Sequence, residues 1–224
     1  MESKQASKTS LRDEVYESVR SRVLGMVGQI DAPVRVREEE LAKQLGVSRT
    51  PVREAFLRLG EEGILNIQPR KGALLMPVTR QEYLEWLKLR EELEAFAAKE
   101  AALNASQRDV DALRAIFAPF TEANLDERVA EYAAANVAFH QAIIKLAANS
   151  LLEKVWKSFG HKQMLRTKTI ERLNRARCSL REHHALIDAI EARNAALAAE
   201  LARQHVHGLL EQTLAAHTDQ ATEV

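Results

Sequence analysis

Little in this chain can brace it covalently, turn it sharply or attract a partner by bulk charge. Cys178 is the one cysteine in 224 residues, so an internal disulfide is excluded and a reducing compartment is the expectation. Net charge is absent as well, with 32 Lys and Arg against 32 Asp and Glu. That balance excludes a histone-like binder of polyanions and requires any nucleic-acid contact to come from a local basic cluster. No apolar run approaches the ~20 residues of a membrane span, and the polar opening Met1-Glu2-Ser3-Lys4-Gln5 has no apolar signal region. The expectation is a soluble, cytoplasmic protein without membrane association. Because 46% of the residues are hydrophobic, the chain can still build one large core or two small ones.

What is present begins with Leu41-Ala42-Lys43-Gln44-Leu45-Gly46-Val47-Ser48-Arg49-Thr50-Pro51-Val52-Arg53-Glu54-Ala55-Phe56. The run reads as a helix, a tight turn at Gly46 and a second helix. Ser48 stands at the N-cap position of that second helix, and Arg49, Thr50 and Arg53 fall on its exposed first turns, the part a helix-turn-helix protein lays in the major groove. Val52, Phe56 and Leu59 occupy the opposite face and allow packing. Solvated surface charge, paired with Glu54 or a neighbour, is the lesser alternative for the two arginines, given the cap, turn and spacing around them. Arg35 and Arg37, ahead of the helix pair, suit phosphate contact and idle surface charge equally well.

A preceding helix, Leu11 to Gly28, carries Leu11, Val15, Val19, Val23 and Val27 on one stripe. After the helix pair, 64–68 and 73–76 are β-compatible and flank Pro69-Arg70-Lys71-Gly72, which predicts a hairpin with a basic tip. Three helices and a hairpin make a winged helix, assigned to 1–77. Beyond Pro77 the composition shifts to alanine, leucine, glutamate and arginine, and no glycine occurs between Gly72 and Gly160. An all-α bundle over 78–224 follows, with helices expected at 80–103, 107–122, 126–148, 151–174, 178–193 and 195–216. The fold class is mainly α, with the hairpin wing the one β element. Asn104-Ala105-Ser106, Asn124-Leu125-Asp126 and Asn149-Ser150 mark breaks, since asparagine and serine favour caps and turns. There is no glycine-rich phosphate loop and no tandem repeat.

The run from Leu11 to Met76, above all Leu45-Gly46-Val47-Ser48-Arg49-Thr50-Pro51-Val52-Arg53-Glu54-Ala55 and Glu62-Gly63-Ile64-Leu65, resembles the winged-helix domain of GntR-type bacterial regulators. The remainder resembles the FCD effector-binding domain of their FadR-like branch, through Leu89-Arg90-Glu91-Glu92-Leu93-Glu94, Asn136-Val137-Ala138-Phe139-His140, Glu182-His183 and His205. The resemblance implies a ligand-controlled transcription regulator, most often a repressor. It would act as a homodimer on a palindromic operator in double-stranded DNA. It further implies that Arg49 and Arg53 read bases, that Ser48 and Thr50 anchor phosphates, and that the wing at Lys71 and Gly72 touches the duplex edge. Glu39 departs from the pattern, since some members carry an operator-defining arginine there.

Asn136 and His140, four residues apart, share a helix face, while His183 and His205 lie on two later helices. A bundle can aim three helices at one point, where imidazoles suit a divalent transition metal of the zinc or nickel kind. In the family the four positions are an aspartate and three histidines. Asn136 brings no charge, so a small carboxylate effector is expected to supply it. Taken singly, each histidine is more simply a core or surface residue, and His161, His184, His207 and His217 are read as surface. Arg90 projects into the effector cavity by resemblance and would grip an acid group there. A pair with Glu94 at i+4 is the equal alternative. Trp86, Trp156 and Phe159 read as core, and Arg166 and Arg177 as further cavity candidates.

Two other classes compete. A metal-dependent hydrolase could use the same histidines, but His-Glu-x-x-His is absent, and Glu182 beside His183 points about 100° away around the helix. A protein-interaction module carrying a winged helix would leave Arg49, Thr50 and Arg53 without a purpose. No catalytic residue is assigned.

Overall fold

The computed structural model describes residues 11–27, 29–30, 32–68, 72–159 and 175–218, with side chains in the last segment to 215. They fall into two compact units that part between Val78 and Thr79.

In the first unit, α1 (Leu11–Met26) buries Val15, Val19 and Val23 at the expected spacing, together with Tyr16 and Leu24. Leu11 shares their phase but stands at the helix's first residue and stays exposed. The Tyr16 hydroxyl donates to the Glu62 carboxylate at 2.5 Å, and Arg58 covers the Tyr16 ring at 3.8 Å, so α1 is fixed to the far end of α3 (Arg49–Glu61). Between them α2 (Glu38–Leu45) ends at Gly46, whose φ of 68° is the left-handed conformation that glycine adopts without a Cβ penalty. Val47 N–H then returns to the Ala42 carbonyl. That bond sets the turn between the two helices.

The wing is a three-stranded antiparallel sheet in the order β1-β3-β2, from β1 (Val34–Val36), β2 (Asn66–Gln68) and β3 (Gly72–Leu75). The hairpin was legible in sequence. Its third partner, β1, pairs Val34 with Leu75 and Val36 with Ala73 and was not expected, because three residues give no readable alternation.

The second unit holds only helices and the turns between them among its described residues. Its helices are α4 (Arg80–Asn104), α5 (Gln107–Phe117), α6 (Val129–Leu146), α7 (Ser150–Ser158), α8 (Ala176–Glu191) and α9 (Ala195–Thr218). Thr79 and Glu82 close a reciprocal capping box at the start of α4, Ser106 and Asp109 do the same for α5, and Asn149 caps α7 through two backbone N–H groups. α5 ends at Phe117, five residues earlier than expected, because Pro119 disfavours helix in the residue before it. The Asn124 side chain then holds the turn, accepting from Thr121 N–H at 2.8 Å, and α6 starts only at Val129. The helix expected over 151–174 is α7 to Ser158, and residues 160–174 lie outside the described ones. Buried alanines at 97, 98, 101 and 102 let α4 lie close along α9, over a core that includes Phe117, Leu125, Tyr132, Phe139 and Ile187.

Candidate functional site

In the first unit α3 has the expected two faces. Val52, Phe56 and Leu59 are buried, while Arg49, Thr50 and Arg53 on the other face are exposed. Ser48 occupies the N-cap with extended backbone, but its hydroxyl makes no capping bond. Arg49 reaches back to α2, with Nη1 2.7 Å from Glu39 and Nη2 4.0 Å from Glu38. Glu54, the expected alternative partner, faces Arg12 instead at 3.5 Å. Arg53 has no ion pair among the described residues. Arg37 is the N-cap residue of α2 and pairs with Glu40 at 3.2 Å. Arg35 stands exposed on β1, and its guanidinium would lie 3.5 Å from any Cβ added at Gly72, whose φ is +85°. Gly72 therefore permits the strand's entry conformation, and Arg35 lies at ordinary contact distance beside it. Lys71 lies outside the described residues.

In the second unit the four residues singled out for metal converge. α6 supplies Asn136 and His140, α8 supplies His183 and α9 supplies His205, and all four are between 1% and 5% exposed. The three histidines can each bring one nitrogen within 4.8 Å of the others. His140 Nε2 is 3.3 Å from His183 Nε2 and 3.2 Å from Asn136 Oδ1.

Each imidazole is held from behind through Nδ1. His140 Nδ1 lies 2.5 Å from Glu94 of α4, His205 Nδ1 lies 2.6 Å from Glu182 of α8, and His183 Nδ1 lies 3.2 Å from the Tyr132 hydroxyl. Phe117 stacks on His183 with centroids 4.8 Å apart. An N–H at Nδ1 of His140 and His205 donates to its carboxylate and leaves the Nε2 lone pair facing inward. Burial pushes the pKa of His205 below its ordinary value, against the opposing hydrogen bond to Glu182. Burial works to raise Glu182, yet its bonds and charge contacts with His205 and Arg175 hold it below the ordinary carboxylate value. The Tyr132 hydroxyl is pushed up by burial.

Both carboxylates are in turn clamped by buried arginines. Arg90 Nε donates to Glu94 Oε1, so the i+4 pair weighed from sequence does form, although Arg90 Nη1 finds no hydrogen-bond partner among the described residues. Arg175 Nη2 donates to both oxygens of Glu182 and to the His205 carbonyl, all within 3.0 Å. Gly208 leaves the room, since a Cβ there would meet Arg175 at 3.1 Å. Two arginines and two glutamates cancel, so the set stays neutral around Asn136.

Sequence reasoning missed Glu94, Tyr132 and Arg175 as supports, and it weighed Glu182 only as a base for His183. Glu182 does point away from His183, and it serves His205. Arg177 is no cavity residue, since it pairs with Asp126 at 2.5 Å on the surface. Arg166 and His161 lie outside the described residues, as does the side chain of His217. His207 is exposed, whereas His184 is half-buried with its ring 6.1 Å from Phe117, which corrects its reading as surface. Trp86 and Trp156 are buried and Phe159 is half-buried.

Comparison with known families decides what this architecture belongs to: residues 11–75 match the bacterial regulatory proteins of the gntR family, and residues 85–208 match the FCD domain. The chain belongs to the GntR family of bacterial regulatory proteins. It is 31% identical over 215 residues to a probable D-xylose utilization operon transcriptional repressor of Paenarthrobacter nicotinovorans, covering 92% of each chain. It is 28% identical over 150 residues to the gluconate operon transcriptional repressor of Bacillus subtilis, covering 67% of this chain and 60% of that one. The fold matches that of McbR/YncC of E. coli, with a TM-score of 0.68 at 24% identity, over 96% of this chain and 100% of that one. This GntR-family protein is therefore a transcriptional regulator with an FCD domain. Both matched families are regulatory, which sets aside the hydrolase and the interaction module. Among the described residues no helix is long and apolar enough to cross a membrane.

Proposed function

We propose that this regulator is a ligand-responsive repressor, which binds a palindromic operator as a homodimer and senses a small carboxylate in its helical domain beside a divalent transition metal. The convergence of His140, His183 and His205 carries the sensing half of this reading. Two nitrogen ligands about 2.0–2.1 Å from a tetrahedral metal stand about 3.3 Å apart, which is the separation of His140 Nε2 and His183 Nε2. With Nδ1 of His140 engaged by Glu94, its Nε2 is an acceptor that faces the His183 nitrogen and the Asn136 side chain. A cation can take the place of the proton shared there and draw on all three imidazoles at once. The metal, when bound, supplies a Lewis-acidic point for an anion's oxygen.

The ligands are His140, His183 and His205, with Asn136 a weaker fourth. Because the surrounding charges cancel, a divalent ion here attracts an anion. Arg90 Nη1 is the buried donor available to the far end of that carboxylate. In the DNA-binding domain Arg49 and Arg53 read bases, Ser48 and Thr50 hold phosphates, and Arg35, Arg37, Lys71 and Gly72 serve the backbone beside them. The unbonded Ser48 hydroxyl favours that assignment. Arg49 must exchange Glu39 for DNA, and its surface pair, about 60–70% exposed on both sides, costs little to break.

Operator fragments selected in vitro test the reading. Small organic acids should change operator affinity for the metal-loaded protein, and the His183→Ala variant should lose both the metal and that response. Full response in a variant without metal would overturn the sensing half.

A further inference from the structure

We infer that Glu94 is a positioning residue that couples Arg90 to the histidine cluster, so that metal affinity depends on the state of Arg90. This rests on the metal reading of the three histidines. The observation behind it is the division of one carboxylate between two partners: Oε1 accepts from Arg90 Nε, and Oε2 meets His140 Nδ1 at 2.5 Å. Arg90 and Glu94 are both on α4, one turn apart, whereas His140 comes from α6.

Arg90 is 1% exposed and Glu94 4%, so water does not compete for either side chain, and the carboxylate's orientation is fixed by the groups around it. The bond to Nδ1 sets the tautomer and ring orientation of His140 and keeps the Nε2 lone pair facing the cluster. Arg90 is anchored on one side only, because its Nη1 has no hydrogen-bond partner among the described residues while its ζ-carbon stands 5.4 Å from the Trp86 ring centroid. A buried donor in that state draws any acceptor that reaches it. When the guanidinium turns to meet one, Oε1 of Glu94 moves with Nε, and Oε2 moves on His140.

The second arginine–glutamate–histidine chain differs in a way that makes it a control. Arg175 is locked on both oxygens of Glu182 and on the His205 carbonyl, and Glu182 also accepts from Cys178 Sγ at 3.1 Å. Its members hold one another, and among the described residues no unpartnered buried donor is found on Arg175.

Cobalt(II) titration of the full-length protein, followed by ligand-field absorption, tests the coupling without any effector. Glu94→Gln should weaken cobalt binding about 10–100-fold and shift the visible bands, as loss of a histidine's outer partner does. Arg90→Lys should weaken it about tenfold in the wild-type background and not further in the Glu94→Gln background. In a Glu182→Gln background the Arg90→Lys loss should persist in full. Thermal unfolding of each metal-free variant separates misfolding from lost positioning. If Arg90→Lys does not fold, the Arg90→Gln/Glu94→Gln pair removes both buried charges together and should match Glu94→Gln alone. Equal Arg90→Lys losses with and without Glu94, or none, would overturn the coupling while leaving the metal reading intact. A wild-type protein without histidine-dependent cobalt bands would overturn the metal reading and the coupling with it.

Discussion

Arg49 and Arg53 present planar guanidinium forks at the start of an exposed helix face, and a fork of that kind matches the O6 and N7 acceptors of guanine. Each alanine substitution should cost about 1–3 kcal/mol of specific affinity and relax base preference at one position, whereas Lys71→Ala should weaken all sequences alike. Anisotropy titrations at fixed salt against operator and scrambled duplexes distinguish the two patterns. At the proposed metal site the decisive residue is Asn136, 3.2 Å from His140 Nε2 and without charge. Asn136→Asp should tighten metal binding and shrink the advantage of an anionic effector, because the site would then hold its own compensating charge. Paired metal and acid titrations on that variant read both effects. These residues were legible because their chemistry shows in residue type and helical spacing. Glu94 and Arg175 were not, since the partners that give them meaning come from other helices, and an i+4 glutamate beside an arginine looks like ordinary surface pairing.

Caps and turns set where the elements begin and end. Gly46 is the joint of the helix pair, and Gly46→Ala meets open space but keeps a positive φ, so the substitution should cost about 1–2 kcal/mol of stability by backbone strain alone. Urea unfolding measures it, with operator affinity falling in parallel if the α2–α3 angle is what presents Arg49. The α5 capping box carries a pH signature. Side-chain and backbone hydrogen bonds from Ser106 hold Asp109 below its ordinary carboxylate value. A depressed carboxylate contributes stability that is present above its unfolded pKa, about 3.9, and lost as pH falls through the folded value. The melting difference between wild type and Asp109→Asn should therefore be full at pH 5 and close below pH 4. Helix identity was readable from composition and caps at this scale. The strand β1 was not, being three residues long, and neither was the early end of α5, which depends on how Pro119 and Asn124 shape one turn.

For the whole molecule, a single recognition helix rarely contacts enough base pairs for specificity, and a palindrome mirrors two-fold protein symmetry. Sedimentation should find a dimer at micromolar concentration both free and on operator DNA, and a monomer in both states would contradict that assembly. The proposed regulation by a carboxylate requires that it bind the DNA-competent and incompetent arrangements with different affinities, since equal affinity shifts nothing. The central claim is that metal and carboxylate share one site in the helical domain. Calorimetry of the active acid, injected into metal-loaded and metal-stripped full-length protein, measures this most directly. Joint occupation predicts binding to the loaded protein at least tenfold tighter than to the stripped one. Equal affinities would contradict the account and return the three histidines to the packed core.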